Sequence, residues 1–177
     1  MHNRMYQQNK ERIVNSFFYL LTEKNYQQIT IVDIVNNAGI SRRTFYRIFP
    51  DKQSILDNYL DEWMKNWINY VSNNRPTSQQ KMVKQLFKFW EPFIPELTIL
   101  VNANLASLIL EKYNEIFPKY FIDFHNSTQD NEELALVKLR YLSYFDIGAI
   151  WNVFINWIKD PYKISLEDLT SLIQQQF

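Results

Sequence analysis

Apolar residues recur at helical spacing along most of the chain, and no stretch shows the period of two that a half-buried strand requires. Between Lys10 and Lys24, the residues Ile13, Val14, Phe17, Phe18, Leu20 and Leu21 share one face and predict an amphipathic helix. Asn25, which tolerates left-handed backbone, is expected to end it. Thr30 with Asp33 three residues on has the form of a capping box and predicts a short helix through Ile34, Val35 and Ala38, stopped by Gly39. Ser41 is placed to cap a second short helix over 42–49, and Pro50-Asp51 opens the next. In that helix Leu56, Leu60, Trp63, Met64, Trp67 and Val71 repeat at three and four, so it is long and buries a heavy aromatic stripe.

The second part of the chain continues the helical pattern. Residues 72–79 are polar and predict a loop, and a helix follows over 80–90. Pro92 and Pro95 are expected to break the pattern, 97–117 to resume it, and Pro118 to end or kink it before a polar loop over 125–131. Residues 132–159 predict a helix of roughly 42 Å. From Phe145 to Ile158 only Asp146 is charged, and apolar groups point in nearly every direction. Such a helix must be covered all round. The run is shorter than the roughly 20 apolar residues of a membrane span and holds Asp146, Asn152 and Asn156, so a second subunit is expected rather than a membrane. Pro161 terminates it, and Ser165 with Asp168 caps a last helix to about Gln176. The expected fold is all-α: an N-terminal three-helix head over 1–52, joined by a connecting helix to a C-terminal helical bundle over 53–177 that pairs with a second subunit.

Composition removes several function classes. Two glycines, Gly39 and Gly148, cannot build a glycine-rich nucleotide loop, and the absence of cysteine excludes disulfides, thiolate nucleophiles and cysteine zinc sites. The polar start MHNRMYQQNKER lacks the apolar stretch of an export signal, so a cytoplasmic protein is expected. His2 and His125 lie apart, and Asp57/Asp61 and Glu111/Glu115 are carboxylate pairs without histidine or cysteine partners, which read as solvated faces. No enzyme, metal or cofactor is expected. The 19 basic and 19 acidic residues cancel overall, yet residues 1–52 carry net +4 and residues 53–177 net −4. A basic head and an acidic body suit an anionic partner at one end.

Residues 31–50, IVDIVNNAGISRRTFYRIFP, have the spacing of a helix-turn-helix, with Ile34, Ala38, Ile40, Phe45 and Ile48 as contacts around a turn that needs Gly39 at positive φ. The second helix offers Ser41, Arg42, Arg43, Thr44, Tyr46 and Arg47, the hydroxyls and guanidiniums that bind phosphates and guanine edges. No carboxylate lies between Asp33 and Asp51. The alternative is a helical hairpin whose arginines are merely solvated.

With its flanks, ITIVDIVNNAGISRRTFYRIFPDKQSIL resembles the DNA-binding head of the TetR family of transcriptional regulators, over roughly residues 8–60. Thr30, Asp33, Ile34, Ala38, Gly39, Ser41, Thr44, Phe45, Tyr46, Phe49, Lys52 and Leu56 fall in register with the family's usual form. Val35 stands for its usual alanine, Ile48 for a common histidine and Asn25 for a common glycine. The tail around Gly148 and Trp157 is similar to the last two helices of that family, which pair in a four-helix dimer interface; residues 72–131 carry no such resemblance.

The resemblance implies a homodimer on a roughly palindromic double-stranded operator. Arg42, Arg43 and Thr44 are then expected in the major groove, Arg43 as a bidentate guanine contact or else a phosphate contact, with Tyr46 and Lys52 on phosphates and Thr30 as cap and phosphate contact. It implies a repressor released by a small apolar or aromatic effector. Trp63, Trp67, Trp90, Tyr113, Phe117, Tyr141 and Phe145 are candidates for its pocket, or else plain core. Tyr144, Trp151, Phe154, Ile155, Ile158, Leu169 and Ile173 are candidates for the dimer interface. Asp146, Asn152 and Asn156 serve either. Control by a partner protein, or action as an activator, is the alternative.

Overall fold

The structure is a computed structural model and describes residues 2–125 and 133–176. Among these residues all regular structure is helical: α1 (His2–Glu23), α2 (Ile31–Ala38), α3 (Arg42–Tyr46), α4 (Gln53–Asn73), α5 (Gln79–Trp90), α6 (Ile94–Asn102), α7 (Ala106–His125), α8 (Glu133–Lys159) and α9 (Leu166–Gln174). Helix α1 packs on α2 and α4 and reaches α6, α7 runs along α8, and α5 is backed by α9. Apart from His125, the loop expected over 125–131 lies outside the described residues. No single helix among them is long and apolar enough to cross a membrane.

Local chemistry explains most helix ends. Thr30 and Asp33 close a reciprocal capping box on α2, while the hydroxyls of Ser41, Ser78 and Ser165 accept the backbone N–H three residues on and start α3, α5 and α9. Gly39 sits at φ 64° and ψ 41°, and the next N–H, of Ile40, returns to the Val35 carbonyl at 3.1 Å, so α2 ends as a left-handed cap.

Three boundaries differ from the sequence pattern, while Pro92 and Pro95 interrupt it where expected. Asn25 is extended, at φ −54° and ψ 139°, and leads into a single tight turn over Tyr26–Gln28 instead of capping α1 in left-handed backbone. Helix α3 ends at Tyr46, because Phe45 and Phe49 turn inward together to fill the core of the head. Pro92 and Pro95 lie in the first turns of the short segments they occupy, where a missing N–H costs nothing, so they make an elbow between α5 and α6. The helix expected over 97–117 is two helices, parted at Asn104, whose φ is 59°, and α7 continues through Pro118.

One continuous buried cluster runs from the head into the body. In the head, Ile13, Phe17, Ile34, Phe45 and Phe49 are buried, and the Ser16 hydroxyl donates to the Ile34 carbonyl at 3.0 Å, fastening α2 to α1. In the body, Trp67, Phe87, Trp90, Tyr113, Trp151 and Phe154 interlock. An ion pair between Lys10 and Glu62 ties α1 to α4.

Candidate nucleic-acid interface

The head presents α3 to solvent because its single buried side chain, Phe45, anchors one face and leaves the other free. Ser41, Arg42, Arg43, Tyr46 and Arg47 are exposed, Thr44 is half-buried, and the Ser41 and Thr44 hydroxyls share a hydrogen bond at 2.9 Å. None of the three arginines takes part in an ion pair among the described residues. Their charge is therefore unspent on the protein itself, and guanidiniums in that state suit phosphate oxygens and guanine edges.

The other basic residues of the head are partly committed. Lys24 pairs with Asp33 at 2.8 Å, and Asp33 also accepts the Thr30 hydroxyl at 2.7 Å and the Thr30 N–H at 2.8 Å. The Lys24 ammonium first, then the Thr30 donors, hold the Asp33 carboxyl well below the usual carboxylate range. With a folded pKa below the unfolded one, this carboxylate contributes stability above about pH 4 that is lost as pH falls. Asp33→Asn is expected to be less stable than the wild type at neutral pH and equal to it in strong acid; thermal melts across a pH series check this.

Lys52 is turned inward. Its ammonium donates to the carbonyls of Tyr26 at 2.6 Å and Ile29 at 2.9 Å and lies 4.1 Å from the centre of the Tyr26 ring, and burial pushes its pKa down. The Tyr26 hydroxyl donates to Gln53 at 2.6 Å, and the Gln53 amide donates to Asp57 at 3.1 Å. Two of the three ammonium protons expected on DNA phosphates thus brace the α1–α2 linker against the start of α4. Tyr26 and Gln53 were invisible as partners in the sequence, since they stand far from each other in the chain.

The profile of the bacterial regulatory proteins of the tetR family matches residues 18–59, the stretch that holds the helix-turn-helix and the start of α4. Over that stretch the chain is similar to the DNA-binding segment of the tetR family of bacterial regulatory proteins. It is 32% identical over 69 residues to the HTH-type transcriptional regulator EthR of Mycolicibacterium smegmatis, a match that covers 37% of this chain and 32% of that protein. It is 22% identical over 174 residues to the fatty acid metabolism regulator protein of Bacillus subtilis, covering 92% of this chain and 90% of that one. In fold it resembles a TetR transcriptional regulator from Streptococcus agalactiae, with TM-score 0.68, 18% identity and coverage of 99% and 96%. It also resembles the fatty acid degradation regulator FadR from Bacillus halodurans, with TM-score 0.65, 19% identity and coverage of 96% and 92%.

In the body of the chain, the structure redistributes the aromatic residues. Trp63, Trp67, Trp90, Tyr113 and Phe117 are buried against one another's neighbourhoods as core, and the space beside Phe117 and Asp146 is only about 10 Å³. Tyr141 and Phe145, expected in a pocket, are 64% and 70% exposed. Trp151, Phe154, Ile158, Leu169 and Ile173, expected at a dimer interface, are buried within the protomer, because this side of α8 packs on its own bundle and α9 on α5. Ile155 is half-buried and Tyr144 exposed. Helix α8 is therefore two-faced, with Ser143, Ile147, Ile150, Trp151 and Phe154 inward and Tyr141, Leu142, Phe145, Asn152 and Asn156 outward.

Proposed function

We propose that this protein is a DNA-binding transcriptional regulator of the TetR family, a homodimeric repressor that binds a roughly palindromic operator and is released from it by a small apolar or aromatic effector. Residues 1–52 form the DNA-binding unit and residues 53–177 the effector-binding and dimerisation unit. The observation that carries the reading is the exposed, carboxylate-free arginine face of α3 and its C-cap, Arg42, Arg43 and Arg47. Arg43 reads a guanine, Arg42 and Thr44 lie in the same groove, and Tyr46, Arg47, Ser41 and Thr30 position the head on phosphates.

Lys52 acts chiefly as the brace described above. Lys52→Ala is expected to lower stability and leave the slope of log affinity against log salt unchanged, whereas Arg47→Ala reduces that slope by about one. Anisotropy titrations at several salt concentrations separate the two.

The outward stripe of α8 is the dimer surface in this reading. Phe145 is 70% exposed, and a Cβ added at Gly148, three residues on, meets nothing within 4 Å among the described residues. An exposed phenylalanine beside a glycine suits close approach by the same helix of a second copy, which places two α3 helices about 34–36 Å apart on DNA.

The test is anisotropy of the purified protein on duplexes from the region upstream of its own gene against scrambled duplexes, from about 50 to about 200 mM salt. Sequence-preferring binding with a steep salt slope supports the reading. Equal, weak binding to every duplex would overturn it.

A further inference from the structure

Tyr113 stands within the aromatic cluster of the body, with the rings of Trp63, Trp67, Trp90 and Trp151 at 5.8, 6.3, 5.9 and 6.4 Å. Its hydroxyl oxygen accepts the indole N–H of Trp90 at 2.6 Å, the usual provision for a buried tryptophan. The indole N–H groups of Trp63 and Trp67 have no acceptor, although these side chains are only 3% and 2% exposed. The two residues lie one turn apart on the same face of α4, and the Phe89 ring meets both, at 5.8 and 5.2 Å. Tyr113 adds a third donor: its proton is not used in the bond from Trp90, and burial keeps the hydroxyl protonated. Unpartnered acceptors on Asn58, Gln85, Glu96 and Asn114 stand beyond hydrogen-bond reach of the two indoles.

We infer, on the reading that the body binds an effector, that this seam receives a neutral, mostly apolar molecule bearing a carbonyl, as in a ketone, ester or lactone, whose oxygen accepts from Trp63 and Trp67. A cluster of donors without acceptors complements a group that only accepts. Charge decides between a carbonyl and a carboxylate. A carboxylate would be desolvated here without a counter-ion, since Lys112, the neighbour of Tyr113 in sequence, is committed to Asp61 at 2.9 Å. Burial and then the Glu96 carboxylate push the Tyr59 hydroxyl up, so a negative charge already stands close to α4.

The rings are packed, so the ligand enters by displacing one of them. Phe93 is the side chain to leave: it is half-buried at the elbow between α5 and α6, with its ring 5.9 Å from Trp63 and 5.4 Å from Phe89. Trp63 and Trp67 ride on the helix whose first turn is braced to the head by Lys52, so differential binding at this seam biases the setting of the head.

The experiment uses the full chain and two matched probe sets: acetophenone, ethylbenzene and benzoate; methyl decanoate, undecane and decanoate. Thermal shift and tryptophan emission give the affinities, and anisotropy on the operator gives release. The expected result is that a carbonyl probe binds roughly tenfold more tightly than its hydrocarbon, and that Trp63→Phe or Trp67→Phe removes most of this difference. Operator binding by the unliganded variants reports that they fold. Equal affinity for carbonyl and hydrocarbon probes, tighter binding of the carboxylates, or a carbonyl advantage that survives both variants would overturn the inference while the effector reading stands. If neither these probes nor a wider apolar library changes stability or releases DNA, the inference and the effector reading fall together.

Discussion

Phe145→Glu is expected to convert the proposed dimer to a monomer at micromolar concentration with almost no loss of protomer stability, while Phe154→Ala costs about 3–5 kcal/mol of stability. The two residues are nine positions apart on one apolar helix, and nothing in their type separates them. Phe145 is 70% exposed, so a charge there costs the isolated protomer little, yet burying that charge against a second copy is prohibitive. Phe154 is fully buried, with its ring 4.5 Å from Trp90, 5.8 Å from Phe87 and 5.9 Å from Trp151, and its removal leaves a cavity walled by rigid rings. Sedimentation and chemical denaturation of both variants check this. A Phe145→Glu protein that remains dimeric would move the interface off the outward stripe of α8.

Arg43→Ala is expected to lose about 1–3 kcal/mol of discrimination at one operator position while retaining general affinity for DNA. Arg43 is exposed on α3, carries no ion pair among the described residues, and lies in a segment without carboxylates. Its guanidinium can therefore meet a guanine in a bidentate pair without first breaking a bond to the protein. Binding measured on the operator and on single-position variants distinguishes this from a phosphate contact, which would weaken every sequence alike. Gly39→Val is expected to damage the same site by another route, because a β-branched residue at φ 64° strains the turn that orients α3; its effect appears in both stability and DNA affinity.

The head was legible residue by residue. Thr30 and Asp33 close the box their spacing announced, Gly39 adopts the left-handed turn, and Ser41 caps α3. Each of these features is satisfied within a few positions of chain, and the one-dimensional order of residues records such contacts directly. Asn25 shows the limit even here, since two backbone conformations were open to it and the packing of Tyr26 on Phe17 and the reach of Lys52 to the Tyr26 carbonyl favoured the extended one.

In the body, periodicity found that α8 was apolar on every side and required cover, but it carried no information on which side the protomer would cover itself. Trp151 and Phe154 face the bundle because Trp90 and Phe87 on α5 come to meet them, and Tyr141 and Phe145 are left exposed among the described residues. The inward turn of Lys52 has the same origin, since its carbonyl partners lie 26 and 23 residues away. Short-range capping and turn chemistry are encoded by neighbours in the chain. The choice among equally apolar faces, and the partner a long charged side chain reaches, depend on which distant segments arrive beside it, and that is decided only when the helices pack.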